Sequence, residues 1–199
     1  EITLPSNVKT IGKFAFMRCR TLSIVTFEEG FSCDISYDMF CECICLKEII
    51  IPSNISNIEF GAFYGCSQLL TVKFEGNTTR IDEKVFENCR NLRTIKGYDC
   101  SYAKKYYDSL TSSQKQQIKF KSLGEGSHKF TAQKVQIKEP TCIEKGIKAY
   151  RCEICGKTND EEEIPAYDHK WDGGEITKQA TETEEGVRTY TCRRCNETK

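Results

Sequence analysis

Apolar residues return along the first half of the chain at a nearly fixed interval. Ile11, Ile35, Ile58 and Ile81 share it, as do Phe16, Phe40, Phe63 and Phe86. Cys19, Cys43, Cys66 and Cys89 follow the same spacing, and so do Leu22, Leu46, Leu69 and Leu92. The steps are 24, 23 and 23 residues, so the second unit carries one extra residue. Four positions recurring together predict a solenoid in which each coil buries its apolar residues against the same residues of the next. Leu22-x-x-Val25-x-Phe27, Leu46-x-x-Ile49-x-Ile51 and Leu69-x-x-Val72-x-Phe74 alternate and end in β-branched or aromatic residues. That predicts one short strand per coil, parallel to its neighbours at about 4.8 Å. The segment around each recurring Phe and Cys is too short for a long helix and is expected to make one turn of 3₁₀ or α structure. Alternation points Ile24, Thr26, Glu48, Ile50, Thr71, Lys73, Thr94 and Lys96 outward, as a candidate binding surface or simply a solvated sheet face.

The period breaks at Tyr98. Ser101-Tyr-Ala-Lys-Lys-Tyr-Tyr-Asp108 has good helix formers behind an N-cap serine, and Gln117 to Leu123 alternates like a final strand. A terminal cover of this kind is what the last coil of a stack requires. Gly124-Glu-Gly-Ser127 reads as a flexible hinge. A second repeat follows, of period 40 or 41: His128-Lys-Phe130 matches His169-Lys-Trp171, and Tyr150-Arg-Cys-Glu-Ile-Cys155 matches Tyr190-Thr-Cys-Arg-Arg-Cys195. Thr141 and Gly146 match Thr181 and Gly186. Ile147 to Cys152 alternates as a strand leading into Cys-x-x-Cys-Gly, with Glu161 to Ile164 expected to return as its partner. The expected organisation is a repeat domain over 1–97, its cap over 98–123, a first Cys-x-x-Cys β module over 128–168 and a second, truncated one over 169–199. Because Glu1 to Asn7 reads like Glu48 to Asn54 in the middle of a coil, the chain is expected to be a piece of a longer modular protein.

Formal charge balances at zero, with 29 basic and 29 acidic residues, which removes the general electrostatic case for nucleic acid or an anionic membrane. Arg193 and Arg194 beside the second module are offset by Glu161 to Glu163 and by Glu182 to Glu185, so no nucleic-acid partner is expected. No apolar run approaches the roughly 18 residues of a membrane helix, and no membrane insertion is expected.

Thirteen cysteines fall into distinct populations. The recurring Cys19, Cys43, Cys66 and Cys89 fit a crowded stack as small hydrophobes. Cys41 and Cys45 flank this column, so alternation turns them elsewhere, as surface thiols or an incidental disulfide. Cys152, Cys155, Cys192 and Cys195 form hairpin turns shaped like zinc knuckles. Gly156 accepts the positive φ needed where the backbone curls round a metal, and Asn196, in the matching place, is the next most tolerant residue. A structural zinc site takes four S or N ligands. One set is His128, Cys142, Cys152 and Cys155, with His169, Glu182, Cys192 and Cys195 as the second. Alternatively His169 closes the first unit from downstream. A Cys152–Cys155 disulfide suits a secreted chain, and reduced thiols remain a further reading.

The stretch EIIIPSNISNIEFGAFYGCSQLLTVKF resembles the BspA-like leucine-rich repeat family. Pro52, Ile58, Ala62, Phe63, Cys66, Leu69 and Val72 all fall in the family's pattern. The second unit matches least, with Met39 for Ala and Phe31-Ser-Cys33-Asp for the proline turn. The resemblance implies an α/β repeat fold, a right-handed solenoid, closed by a short helix that Gly97, Ser101, Ala103 and Tyr106 resemble. It implies a secreted or surface-attached, non-enzymatic protein, mostly bacterial, that binds host proteins, matrix or other cells, and a monomer is expected. The C-terminal units resemble Cys-x-x-Cys modules with an H-x-W motif found beside such repeats in surface proteins of gut Firmicutes. In this chain the modules are expected to act as stalk or spacer, with structural zinc as the one cofactor in view. The alternative function is thiol–disulfide exchange at Cys152 and Cys155. That chemistry needs a helix N-terminus at the motif to lower the thiol pKa, and the sequence that follows predicts none.

Overall fold

The computed structural model describes residues 1–199, which divide into two compact units, Glu1–His128 and Lys129–Lys199. Six short parallel strands mark six successive coils of the first unit. They are β1 (Ile2–Leu4), β2 (Val25–Phe27), β3 (Glu48–Ile51), β5 (Thr71–Phe74), β7 (Thr94–Gly97) and β8 (Lys119–Ser122). A second side of the coils carries β4 (Asn57–Ile58) and β6 (Arg80–Ile81), also parallel, with Ile35 bridged to Ile58.

The apolar columns lie inside, as the period predicts. Phe16, Phe40, Phe63 and Phe86 stack ring on ring at 5.3, 5.4 and 5.6 Å with near-parallel planes. Leu46, Leu69, Ile35 and Ile58 have no exposed surface. Each buried thiol also makes a directional contact. Cys43 donates to the Phe16 carbonyl, Cys66 to that of Phe40 and Cys89 to that of Phe63, at 3.1–3.2 Å. The recurring cysteine thus does more than fill space: it ties each coil to the one before. Cys19 opens the column and is exposed.

Two local expectations are corrected. First, the strands do not form one continuous stack: β1 pairs only with β2, while β3, β5, β7 and β8 form a separate sheet in that order. The break falls in the interval that carries the extra residue. The longer second coil buries Phe31, Cys33, Met39 and Cys41, which absorbs its misfit inside but costs it the hydrogen-bond register with β2. Cys41 is therefore a core thiol, not a surface one. Second, the Phe-to-Cys segment is a run of turns, not a turn of 3₁₀ or α helix. Two residues per coil adopt positive φ at matching positions. Phe14, Asp38, Gly61 and Lys84 form one column, and Arg18, Glu42, Gly65 and Asn88 the other, at φ 50–70°. Backbone N–H groups of Phe16, Phe40 and Phe63 then reach the next coil's carbonyls at 2.8–3.0 Å. Only the third coil uses glycine, and there a Cβ on Gly61 would run into the Asp38 carboxylate of the preceding coil.

The last coil is covered by α1 (Tyr102–Ser109), α2 (Ser112–Gln117) and β8. Ser101 caps α1, accepting from the Lys104 N–H at 3.0 Å. Thr111 and Gln114 form a capping box on α2. Tyr106 meets Phe86 edge to face at 5.7 Å and ends the phenylalanine column, while Ala103 joins the core beside Gly97. Gly124 to Ser127 is held, not loose: Asp99 and Cys100 donate to the carbonyls of Gly124 and Glu125 at 2.9 and 2.7 Å, and Asn77 donates to Ser127.

In the second unit β9 (Val135–Lys138), β10 (Gly146–Arg151) and β11 (Thr158–Ile164) form an antiparallel sheet with β10 central. Arg151 faces Thr158, so Cys152 to Lys157 is the hairpin turn, as expected. The second module repeats part of this with β12 (Glu175–Lys178) and β13 (Val187–Thr189). Its knuckle copies the first bond for bond. Cys152 donates to Lys157 and Gly156 to Cys152, and Cys192 donates to Glu197 and Asn196 to Cys192, all at 2.7–2.9 Å. Gly156 and Asn196 both take positive φ, 76° and 62°.

Candidate functional site

The outward strand residues divide by exposure. Ile24, Thr26, Glu48 and Ile50 stand exposed, whereas Thr71, Lys73, Thr94 and Lys96 are half-buried within the continuous sheet. The exposed four converge where the two sheets part. They line a groove of about 570 Å³ together with Phe27 and Pro52. Ile24 and Ile50 keep 49% and 43% of their surface in contact with solvent, a large apolar exposure for strand residues. A larger cavity, about 830 Å³, lies between β6 and α1, but its lining of Arg80, Asp82, Glu83, Lys84, Glu87 and Lys105 mixes both charges and holds no cysteine or histidine.

The buried repeat thiols are chemically quiet. Burial pushes Cys43 and Cys89 up to about 12 and Cys66 further. None is a nucleophile near neutral pH.

A second constellation lies within the Lys129–Lys199 unit. Ligand atoms of Cys142, His169, Cys192 and Cys195 all lie within 4.8 Å of one another, an arrangement able to hold a metal ion. Cys142 Sγ is 3.8 Å from Cys192 Sγ, and Cys195 Sγ is 3.4 Å from His169 Nδ1. Strand pairing fixes His169 in place: Trp171 bridges Cys192, and Arg193 donates to the Lys170 carbonyl at 2.9 Å. Cys142 and Cys192 are buried, while Cys195 faces solvent. Burial opposes ionisation of Cys192, but the Arg194 and Cys195 N–H groups and the His169 imidazole outweigh it and lower the thiol to about 6. Burial raises Cys142 to about 12, helped by the Cys195 and Cys192 thiols.

This grouping keeps His169, Cys192 and Cys195 together, as one reading of the sequence expects, and puts Cys142 where that reading put Glu182. His169 serves its own knuckle and does not close the first one. Cys142 stands with the second knuckle and not with Cys152 and Cys155, and exposed Glu182 is outside the cluster. The reason is strand length. Cys142 and Cys152 flank opposite ends of the six-residue β10, itself about 20 Å long at 3.3 Å per residue. Cys152 is buried and Cys155 exposed in the first knuckle turn. His128 is half-buried, its Nε2 3.1 Å from Glu125 Oε1. The strand length was readable in the sequence and was the signal that could have excluded the earlier pairing.

Coils with internal apolar columns and one short parallel strand each define a leucine-rich repeat protein. The chain belongs to the BspA type leucine rich repeat family, whose profile matches residues 1–124 in six copies, the number of successive coils. A solved leucine rich cell surface protein from Faecalibacterium prausnitzii A2-165 is similar at 32% identity with a TM-score of 0.43. That match covers 60% of this chain and 28% of the other. No curated protein matches. No helix is long and apolar enough to cross a membrane.

Proposed function

We propose that this chain is a non-enzymatic recognition element of a secreted or cell-surface protein. Its repeats form a right-handed solenoid that binds a protein ligand on host, matrix or another cell, and the C-terminal modules serve as a spacer folded around structural zinc. Membership of the family supports the repeat reading, and the name of the similar Faecalibacterium protein supports the surface location. The observation that carries the binding face is the groove where Ile24, Thr26, Glu48 and Ile50 converge at the open junction of two sheets. Exposed isoleucines beside a charged carboxylate are the mixed apolar and polar composition of a protein-binding patch.

The test is capture of purified matrix proteins and of epithelial cells by the immobilised chain, with and without Ile24→Asp and Ile50→Asp together. Loss of two anchors is expected to weaken capture at least about 30-fold, the effect of removing a hot spot. Capture undiminished by the double change, in a protein of unaltered thermal stability, would remove the groove from the account. The oxidoreductase reading has little support: Cys152 and Cys155 sit in a turn between β10 and β11 where a helix N-terminus is needed.

A further inference from the structure

The two C-terminal modules present the same far loop with one chemical difference. Thr141 and Thr181 each donate their N–H to the carbonyl three residues on, that of Glu144 and Glu184, at 2.9 Å. Each threonine hydroxyl accepts from the N–H of that same glutamate, at 2.9 and 3.1 Å. Lys138 pairs with Glu144, and Lys178 with Glu184. On this shared frame the first module carries Cys142, buried, and the second carries Glu182, exposed. Within the first module Tyr167 donates to the Thr141 carbonyl at 2.9 Å, and Arg194 of the second module donates to the carbonyls of Tyr167 and Asp168 at 2.6 and 3.2 Å.

Two donor–donor distances in the cluster match the edges of a tetrahedral metal site. Zinc–sulfur bonds of about 2.3 Å set tetrahedron edges of about 3.8 Å, slightly less where one donor is nitrogen. The observed edges are 3.8 Å between Cys142 and Cys192 and 3.4 Å between Cys195 and His169 Nδ1. The outer shell is also present. His169 Nε2 faces Glu197 Oε2 at 3.4 Å, the carboxylate that orients a ligating imidazole, and the Arg194 N–H points at Cys192 Sγ at 3.4 Å.

We propose that one Zn²⁺ is shared head to tail between successive modules. Cys142 of the first module completes a site whose other ligands, His169, Cys192 and Cys195, belong to the second. Binding releases the thiol protons to solvent and converts three sulfurs to thiolates. The ion therefore acts as a joint between repeats, and a module is completed by its predecessor. This rests on the structural-zinc reading above.

The test is NMR of the reduced 199-residue chain loaded with cadmium in place of zinc. Each bound cadmium gives its own resonance, shifted according to thiolate number and coupled to the β protons of its cysteines. One resonance coupled to Cys142, Cys192 and Cys195 together is the expected result. Cys142→Ser is expected to move that resonance toward the two-thiolate range and weaken zinc binding there at least about 100-fold, no less than an outer-shell loss. Glu182→Gln is expected to change neither. A resonance coupled to Cys192 and Cys195 but not to Cys142 overturns the shared joint and leaves a zinc reading intact. No cadmium or zinc bound by the unaltered chain overturns both.

Discussion

In the repeat unit, Phe63 touches like residues on both sides and has no exposed surface. In the Lys129–Lys199 unit, strands β9 and β12 bury no residue at all. Its buried apolar side chains are Pro140, Cys142, Ala149, Cys152, Ile154 and Cys192, and three of those six are cysteines. The contrast shows two ways of making a stable repeat from short strands. One stacks apolar side chains until no solvent reaches them. The other has too little core for its length, and small units of that kind need a covalent or metal staple. The difference also explains why cysteine recurs in both regions with different roles: a hydrogen-bonded hydrophobe in the first, a cluster of ligand atoms in the second.

The sharpest way to break the comparison is chelation. EDTA on the reduced protein is expected to collapse the dispersed amide resonances of residues 129–199 while leaving those of the repeats in place. A spectrum unchanged over both regions would show that the second unit needs no staple. The reverse perturbation is Phe63→Ala. Removing a fully buried ring from the middle of the column is expected to cost about 3–5 kcal/mol in urea denaturation of the repeats, with the second unit unaffected. A loss under 1 kcal/mol would show that neighbouring coils close over the gap.

Alkaline pH sharpens the contrast between the thiols. Burial holds Cys43, Cys66 and Cys89 protonated above the ordinary thiol value of 9.0, so the folded repeats bind more protons than the unfolded chain above that pH. Their stability is expected to be level below pH 9 and to fall as pH rises from 9 toward 12, by about 1.4 kcal/mol per thiol per pH unit. Urea midpoints of the reduced protein that stay flat to pH 11 would contradict this. The smallest effect concerns the turns. Lys84 holds the left-handed conformation that Gly61 occupies one coil earlier, so Lys84→Gly is expected to raise repeat stability by up to about 1 kcal/mol. A drop would place Lys84 in a contact that outweighs its backbone strain.

Much of the repeat unit was legible because its signal is periodic: Phe16, Phe40, Phe63 and Phe86 announce one column whatever the turns between them do. The final strand and its capping helix were legible from alternation and from Ser101. The split between β2 and β3 was not, since a one-residue insertion shows its length but not which hydrogen bonds it breaks. Nor were the positive-φ columns, because three coils place Phe14, Asp38, Lys84 and other L residues where only the third writes glycine. In the C-terminal unit the hairpin and its knuckle turn were legible from Cys-x-x-Cys-Gly and the strand before it. Strand length could have kept Cys142 apart from the first knuckle, but its grouping with His169, Cys192 and Cys195 was not legible, because internal repetition tells which residues are equivalent and is silent on whether equivalents meet within a module or across two.

The thiol of each coil donates to a carbonyl of the preceding coil, and Cys19, with no such donation, faces solvent. Every interior coil therefore asks the same thing of its predecessor and offers the same thing to its successor. A duplication or excision of one whole coil would keep this thiol-to-carbonyl join on either side. The length of the repeat stack could then be adjusted during descent in increments of one strand spacing, about 4.8 Å, without redesigning the thiol column.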